Sequence, residues 1–214
     1  MDHRDRSGHH RPGDRAALIL ALEEAWFTRT NRIACGMLLL LFLGSSIHPS
    51  PQETAGVWLD VPYVKQSEDG CGSAVISMLL EYWNAHGAGI DAQRSDPAAI
   101  QRRLFSPKAR GIHASDMESY LKESGFRVFP LNGDWKDLLE QLKQGRPLIA
   151  SIQPGSHRNQ LHYVVVTGID WQSGAVFIND PLRGKLLRIE RADFEKEWRP
   201  NHNWMLLVLP EKAV

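Results

Sequence analysis

The feature that most constrains this chain is a change of apolar patterning part-way along it. Beyond residue 145, five short runs at 147–152 (PLIASI), 161–168 (LHYVVVTG), 174–179 (GAVFIN), 185–190 (KLLRIE) and 203–209 (NWMLLVL) are separated by Gly, Asn, Asp and Pro. Each has the length of a strand and is bounded by turn formers. Before that point the pattern is helical. Residues 72–84 (GSAVISMLLEYWN) place Ala74, Ile76, Met78, Leu79 and Trp83 in a largely apolar helix, which implies a buried one. Further helices are predicted at Pro97–Leu104, Ser115–Ser124 and Trp135–Lys143, with Ser115 or Asp116 capping the second of these. Val57–Val61 alternates like an edge strand. Helices first and antiparallel-looking strands afterwards predict an α+β architecture. There is no internal repeat.

The first 56 residues read differently. Residues 1–14 are rich in Arg, His, Asp and Gly and predict disorder. Residues 15–27 (RAALILALEEAWF) could form a short amphipathic helix. Arg29 and Arg32 then precede the apolar segment 33–46, which ends in Gly44-Ser45-Ser46. Positive residues, a short apolar stretch and small residues match the three regions of a secretory signal peptide. The stretch falls short of the roughly 20 apolar residues of a full span, so an uncleaved membrane anchor is the second choice. Either way residues 1–32 stay cytoplasmic, 47–56 is a linker, and a domain at 57–214 is exported to the periplasm or the exterior. Residues 47–58 are too short to fill a groove as a long propeptide does, and no pro-form is expected.

Charge excludes one class of partner. The 25 basic and 25 acidic residues cancel, which leaves no footprint for nucleic acid. The two cysteines, Cys35 and Cys71, lie in unlike surroundings. Cys35 sits inside the apolar segment, with Arg32 upstream where a lipid-acceptor cysteine would need apolar residues. Cys71 is therefore the sole thiol of the exported domain, either a buried core residue or a group with chemical use.

Four residues could carry chemistry. Cys71 follows the polar loop Gln66-Ser67-Glu68-Asp69-Gly70 and opens the predicted apolar helix. The unpaired N–H groups of a helix start favour a thiolate, the reactive form of cysteine. Gly70 and Gly72 would leave room for a substrate backbone. Gln66 is either a solvated loop residue or, with the Cys71 backbone N–H, a donor to a developing oxyanion. His162 heads the most strand-like run, as a satisfied core residue or a placed base. Asp180 closes the following strand in VFINDP, as part of an Asn-Asp-Pro turn or as the carboxylate that orients an imidazole. Asn179 is its rival for that role.

The order Gln, Cys, His, Asp carries a resemblance. The segments PYVKQSEDGCGSAVISMLLEYW, LHYVVVTGID and VFINDP resemble the bacteriocin-processing (double-glycine leader) peptidases, cysteine-peptidase family thirty-nine. The likeness is greatest to their stand-alone exported relatives and extends to the ending, FEKEW and NWMLLVLP, so that it spans about Leu59 to Pro210. It implies a papain-like cysteine peptidase fold, with the Cys on a helix start packed on an antiparallel sheet that carries His and Asp. It also implies Cys71 as nucleophile, His162 as base, Asp180 as orienter and Gln66 as oxyanion donor. The transporter-linked members carry membrane and ATP-binding domains, and this sequence has no phosphate-binding G-x-x-x-x-G-K-[ST] loop. Cleavage of double-glycine leaders is therefore not carried over.

The expectation is a hydrolase acting on peptide or protein substrates, without a metal or organic cofactor, as a monomer with membrane association through 33–46. No Cys-x-x-Cys or His-Glu-x-x-His spacing offers a zinc site. The alternatives are an acyl or peptidyl transferase using the same triad, a non-catalytic peptide-binding module, and a structural protein with a core cysteine. Trp83, Trp135, Trp171, Trp198 and Trp204 read as core or rim. His113 and the loop 153–160, with Ser156, Arg158 and Asn159, are expected along the groove.

Overall fold

In the computed structural model, which describes residues 55–155 and 161–212, the strand-like runs assemble into one antiparallel sheet whose central strands are buried on both faces. The elements in chain order are β1 (Gly56–Trp58), α1 (Cys71–Ala85), α2 (Ala92–Ser95), α3 (Pro97–Leu104), α4 (Ala114–Glu123), β2 (Phe126–Asn132), α5 (Trp135–Lys143), β3 (Leu148–Ile152), β4 (His162–Asp170), β5 (Ala175–Asp180), β6 (Gly184–Glu190), α6 (Arg191–Trp198) and β7 (Trp204–Pro210). The sheet order is β2-β7-β3-β4-β5-β6. β4 is shared, pairing with β3 over His162–Val166 and with β1 over Gly168–Asp170. The chain divides into two units, Met1–Gln52 and Glu53–Val214. The disordered region, the 15–27 helix, the apolar segment 33–46 and nearly all of the linker expected from the sequence lie outside the described residues, as do Ser156, Arg158 and Asn159. β1 begins at Gly56, the last residue read as linker.

Period-two geometry explains why the strand runs are continuously apolar rather than alternating. Ile149 and Val165, paired across β3 and β4, face α1 together with Leu206 and Val208. Their neighbours Leu148, Ala150, Val164 and Val166 face the other way, onto Leu138 and Leu142 of α5 and Phe194 and Trp198 of α6. All five residues of β3 are buried. Helices therefore cover both faces of the central strands, a placement the sequence pattern leaves open. The second layer depends on α6, whose charged sequence RADFEKEW hides an apolar pair four residues apart, Phe194 and Trp198.

Three local expectations need correction. α4 starts one residue earlier than predicted, and its N-cap position is His113, so Ser115 and Asp116 lie inside the first turn. The His113 side chain makes no capping bond. Strand β2 was not foreseen because FRVFPLN carries Pro130. It is an edge strand, where a missing N–H is tolerated. Finally, Gly70 and Gly72 do not open space for substrate. A Cβ on Gly70 would come within 2.6 Å of the Ser67 Oγ, and one on Gly72 within 2.9 Å of the Ile112 Cβ. Both glycines let other parts of the chain pack against the start of α1.

Because α6 seats on the sheet through two side chains, truncating one should be costly. Phe194→Ala is expected to lower the unfolding free energy by about 3–5 kcal/mol. Lys196→Ala, on the solvent side of the same helix, should change it by less than about 0.5 kcal/mol. Urea denaturation of both variants checks the contrast.

Candidate active site

The predicted site residues arrive at one cleft by different routes. Cys71 is the first residue of α1, so the N–H groups of that first turn have no partners within the helix. No side chain caps this end. The Ser73 hydroxyl donates to the Gly70 carbonyl at 2.9 Å and tightens the turn that presents Cys71. Just before it, Asp69 adopts a left-handed backbone (φ 50°) and accepts from the Arg110 guanidinium at 3.2 and 3.3 Å. This ion pair ties the loop ahead of Cys71 to the 106–111 segment.

His162 opens β4 and Asp180 closes β5. The pairing of Val165 with Asn179 brings these two strand ends together. His162 Nε2 lies 2.8 Å from Asp180 Oδ1. The same carboxylate accepts the backbone N–H groups of Leu182 at 2.9 Å and Arg183 at 3.1 Å, and the Arg183 Nε at 2.5 Å. Adjacent strand residues point to opposite faces, so Asn179 is turned away from the imidazole. Its amide donates to the Val61 carbonyl at 3.0 Å and accepts from the Leu186 N–H at 3.0 Å. Asp180, and not Asn179, is therefore the residue on the imidazole.

Gln66 reaches the cleft through the loop that Asn179 and its neighbours hold. Its N–H donates to the Pro181 carbonyl at 3.0 Å, while the Tyr63 hydroxyl donates to the Asp180 and Pro181 carbonyls at 3.3 Å each. The Gln66 Oε1 is buried without a hydrogen-bond partner among the described residues. Gln66, Cys71, His162 and Asp180 line one cleft of about 650 Å³, with Asp69, Arg110, Pro154, Gly155, Arg183 and Glu197. Leu161 and Leu182, both largely exposed, add apolar surface at its mouth. His113 lies elsewhere, in a separate hollow with Arg103 and Tyr120.

The electrostatics follow from this geometry. Burial of His162 disfavours its imidazolium, but hydrogen bonds to Asp180 and Cys71 and the charges of both outweigh that and raise its pKa to about 9. Asp180 is buried too, which favours the neutral acid. The bonds from His162, Arg183 and Leu182 overcome this and hold the carboxyl well below the usual range. Burial, with the negative charges of Cys71 and Glu118, pushes the Tyr163 phenol up to about 12, and its ring packs on Trp204 at 5.8 Å. No group of three or more metal-ligating side chains occurs among the described residues. Sequence reasoning did not find Arg183, Tyr63, Arg110 or Glu197. Only Arg183, three residues after Asp180, could have been suspected, as a cation beside a turn.

Known proteins share this framework. The sequence pattern of the Peptidase_C39 like family matches residues 58–204. A putative C39-like peptidase from Bacillus anthracis superposes with a TM-score of 0.56 at 19% identity, covering 74% of this chain and 99% of that one. The peptidase domain of Streptococcus ComA, a bi-functional ABC transporter, gives 0.54 at 24% identity, covering 69% and 96%. A double glycine motif protease from an AMS/PCAT transporter, in complex with its leader peptide, gives 0.54 at 19%, covering 72% and 94%. At these identities the likeness shows the fold, which is that of the C39 cysteine peptidases, as the sequence led us to expect. No curated protein matches the chain.

The raised His162 pKa has a consequence for stability. A group whose pKa is higher in the folded state stabilises fully below its unfolded value and loses that contribution as pH rises through the folded one. The stability held by His162 should therefore fall between about pH 6.5 and 9, by about 3 kcal/mol. Thermal unfolding across this range should show the decline in wild type and a flatter profile in His162→Gln.

Proposed function

The chain belongs to the Peptidase_C39-like family, and on that premise we propose that it is a cysteine peptidase hydrolysing peptide (amide) bonds through a thioester on Cys71. The observation that carries this reading is the 2.8 Å contact of His162 with the buried Asp180, in the cleft that also holds Cys71 and Gln66. A carboxylate in that position fixes the imidazole tautomer and stabilises the imidazolium formed during reaction.

In this mechanism the Cys71 thiolate adds to the substrate carbonyl carbon. The resulting oxyanion accepts from the Cys71 backbone N–H at the uncapped start of α1 and from the Gln66 amide. His162 gives its proton to the leaving amine as the C–N bond breaks, which leaves a thioester. Water then adds to the thioester while His162 takes up one of its protons, and the adduct collapses to the free acid and the Cys71 thiolate beside the protonated His162. Asp180 remains ionised throughout, because three N–H groups besides the imidazole hold it so. The cleft's open shape and apolar mouth suit a peptide or protein segment.

The proposal includes export. Its support is the sequence alone: Arg29 and Arg32 ahead of the apolar segment 33–46 and the small residues that close it. Among the described residues no helix is long and apolar enough to cross a membrane, and segment 33–46 lies outside them.

Alkylation of Cys71 by iodoacetamide near pH 6.5, followed site by site by mass spectrometry, tests whether His162 holds Cys71 as a thiolate. His162→Ala should slow it about tenfold or more. Peptide-library turnover should vanish in Cys71→Ala and drop by about 10²–10³ in Gln66→Ala, with little change in KM. Alkylation indifferent to His162→Ala would mean a structural cysteine and would sink the peptidase reading.

A further inference from the structure

The Cys71 cleft does not end at the catalytic residues. Pro154, Gly155, Arg183 and Glu197 border it and also border an adjoining hollow of about 690 Å³, whose further lining includes Arg188, Asp193 and Lys196. A Cβ on Gly155 would meet no other described residue within 4 Å. A peptide running from Cys71 into the second hollow passes Glu197.

The other described charged side chains of the cleft are already matched. Asp69 pairs with Arg110, and Asp180 with His162 and Arg183. In the adjoining hollow Arg188 pairs with Glu190. Glu197 makes no ion pair among the described residues, and its Oε2 is buried with no hydrogen-bond partner there. Its place is firmly set. The Gln153 N–H donates to its carbonyl at 2.7 Å, and Phe194 and Trp198 of the same helix are fully buried. A buried carboxylate oxygen without a donor is unfavourable until something supplies one, and a cation supplies the strongest.

We infer that Glu197 is a specificity-determining residue, taking an ammonium or guanidinium group of the substrate where the cleft joins the second hollow. The inference rests on the reading that peptides occupy this cleft. It assigns to Glu197 no part in bond cleavage. The cation can come from a Lys or Arg side chain or from a free N-terminal amine.

Binding to the full chain carrying Cys71→Ala, which cannot react, separates this inference from the peptidase reading. The probes are acetylated alanine hexapeptide amides with a single Arg, norleucine or Glu at each position, together with the unacetylated all-alanine peptide, measured by calorimetry. Arg at one position should bind about tenfold or more tighter than norleucine there. Glu197→Gln should reduce that preference to about threefold or less and leave the acetylated all-alanine peptide unchanged within about twofold. Glu197→Lys should move the preference to Glu at the same position. Tighter binding of the unacetylated peptide, lost in Glu197→Gln, would also support the site and identify the N-terminal amine as the source. An Arg preference that survives Glu197→Gln, or no preference for any cationic peptide, would overturn the inference. Absence of turnover in the native enzyme, with the binding preference intact, would instead count against the peptidase reading alone.

Discussion

A single buried carboxylate organises the site. Asp180 is fully shielded from solvent, and an ionised carboxyl so placed costs several kcal/mol unless donors surround it. Those donors come from His162, from the backbone of Leu182 and Arg183, and from the Arg183 guanidinium. Satisfying the charge therefore fixes the turn after β5 and the orientation of the imidazole at the start of β4 together. The register irregularity between β5 and β6 at Ile178 and Asp180 sits where that turn leaves the ladder.

The same strand end holds the loop that leads to the nucleophile. The Asn179 side chain binds the Val61 carbonyl, the Pro181 carbonyl accepts the Gln66 N–H, and the Tyr63 hydroxyl bridges the carbonyls of Asp180 and Pro181. Alternation along β5 gives these neighbours opposite tasks: Asp180 points to the imidazole and Asn179 to the loop. Their distance from His162 is then set by one rigid piece of sheet rather than by flexible segments. A site built on strands and a helix start in this way holds its geometry with little loss of order on binding.

The fold supports this by burying both faces of the central strands. The layer of α1 places Cys71 on one side, and the layer of α5 and α6 brings Glu197 to the cleft from the other. The charges that remain after the internal pairs are counted decide what the groove can attract, and among the described residues of the Cys71 cleft that remainder is one carboxylate.

Cys71, His162, Asp180 and Gln66 were legible in the sequence, because each stands at a boundary that local pattern reveals: a loop-to-helix start, a strand start, a strand end and a polar loop. The strand runs from Leu148 onward and helix α1 were legible for the same reason, since period and length are local properties. β2 was not, because Pro130 hides an edge strand. α6 was not, because two large apolar residues in eight carry too little periodicity. The roles of Gly70 and Gly72 were misjudged, since what lies opposite a missing Cβ is a matter of distant residues, here Ser67 and Ile112. By itself, then, the sequence determined helix α1, the strands from Leu148 onward and the family, and it offered candidates for the chemistry. Only the tertiary structure decided that Asp180 and not Asn179 meets the imidazole, that Arg183 completes the carboxylate's shell, and that Glu197 has no match among the described residues. The physical reason is that pairing of charges and hydrogen bonds depends on separation in space, and for these residues that separation is set by strand register and helix docking across the whole domain.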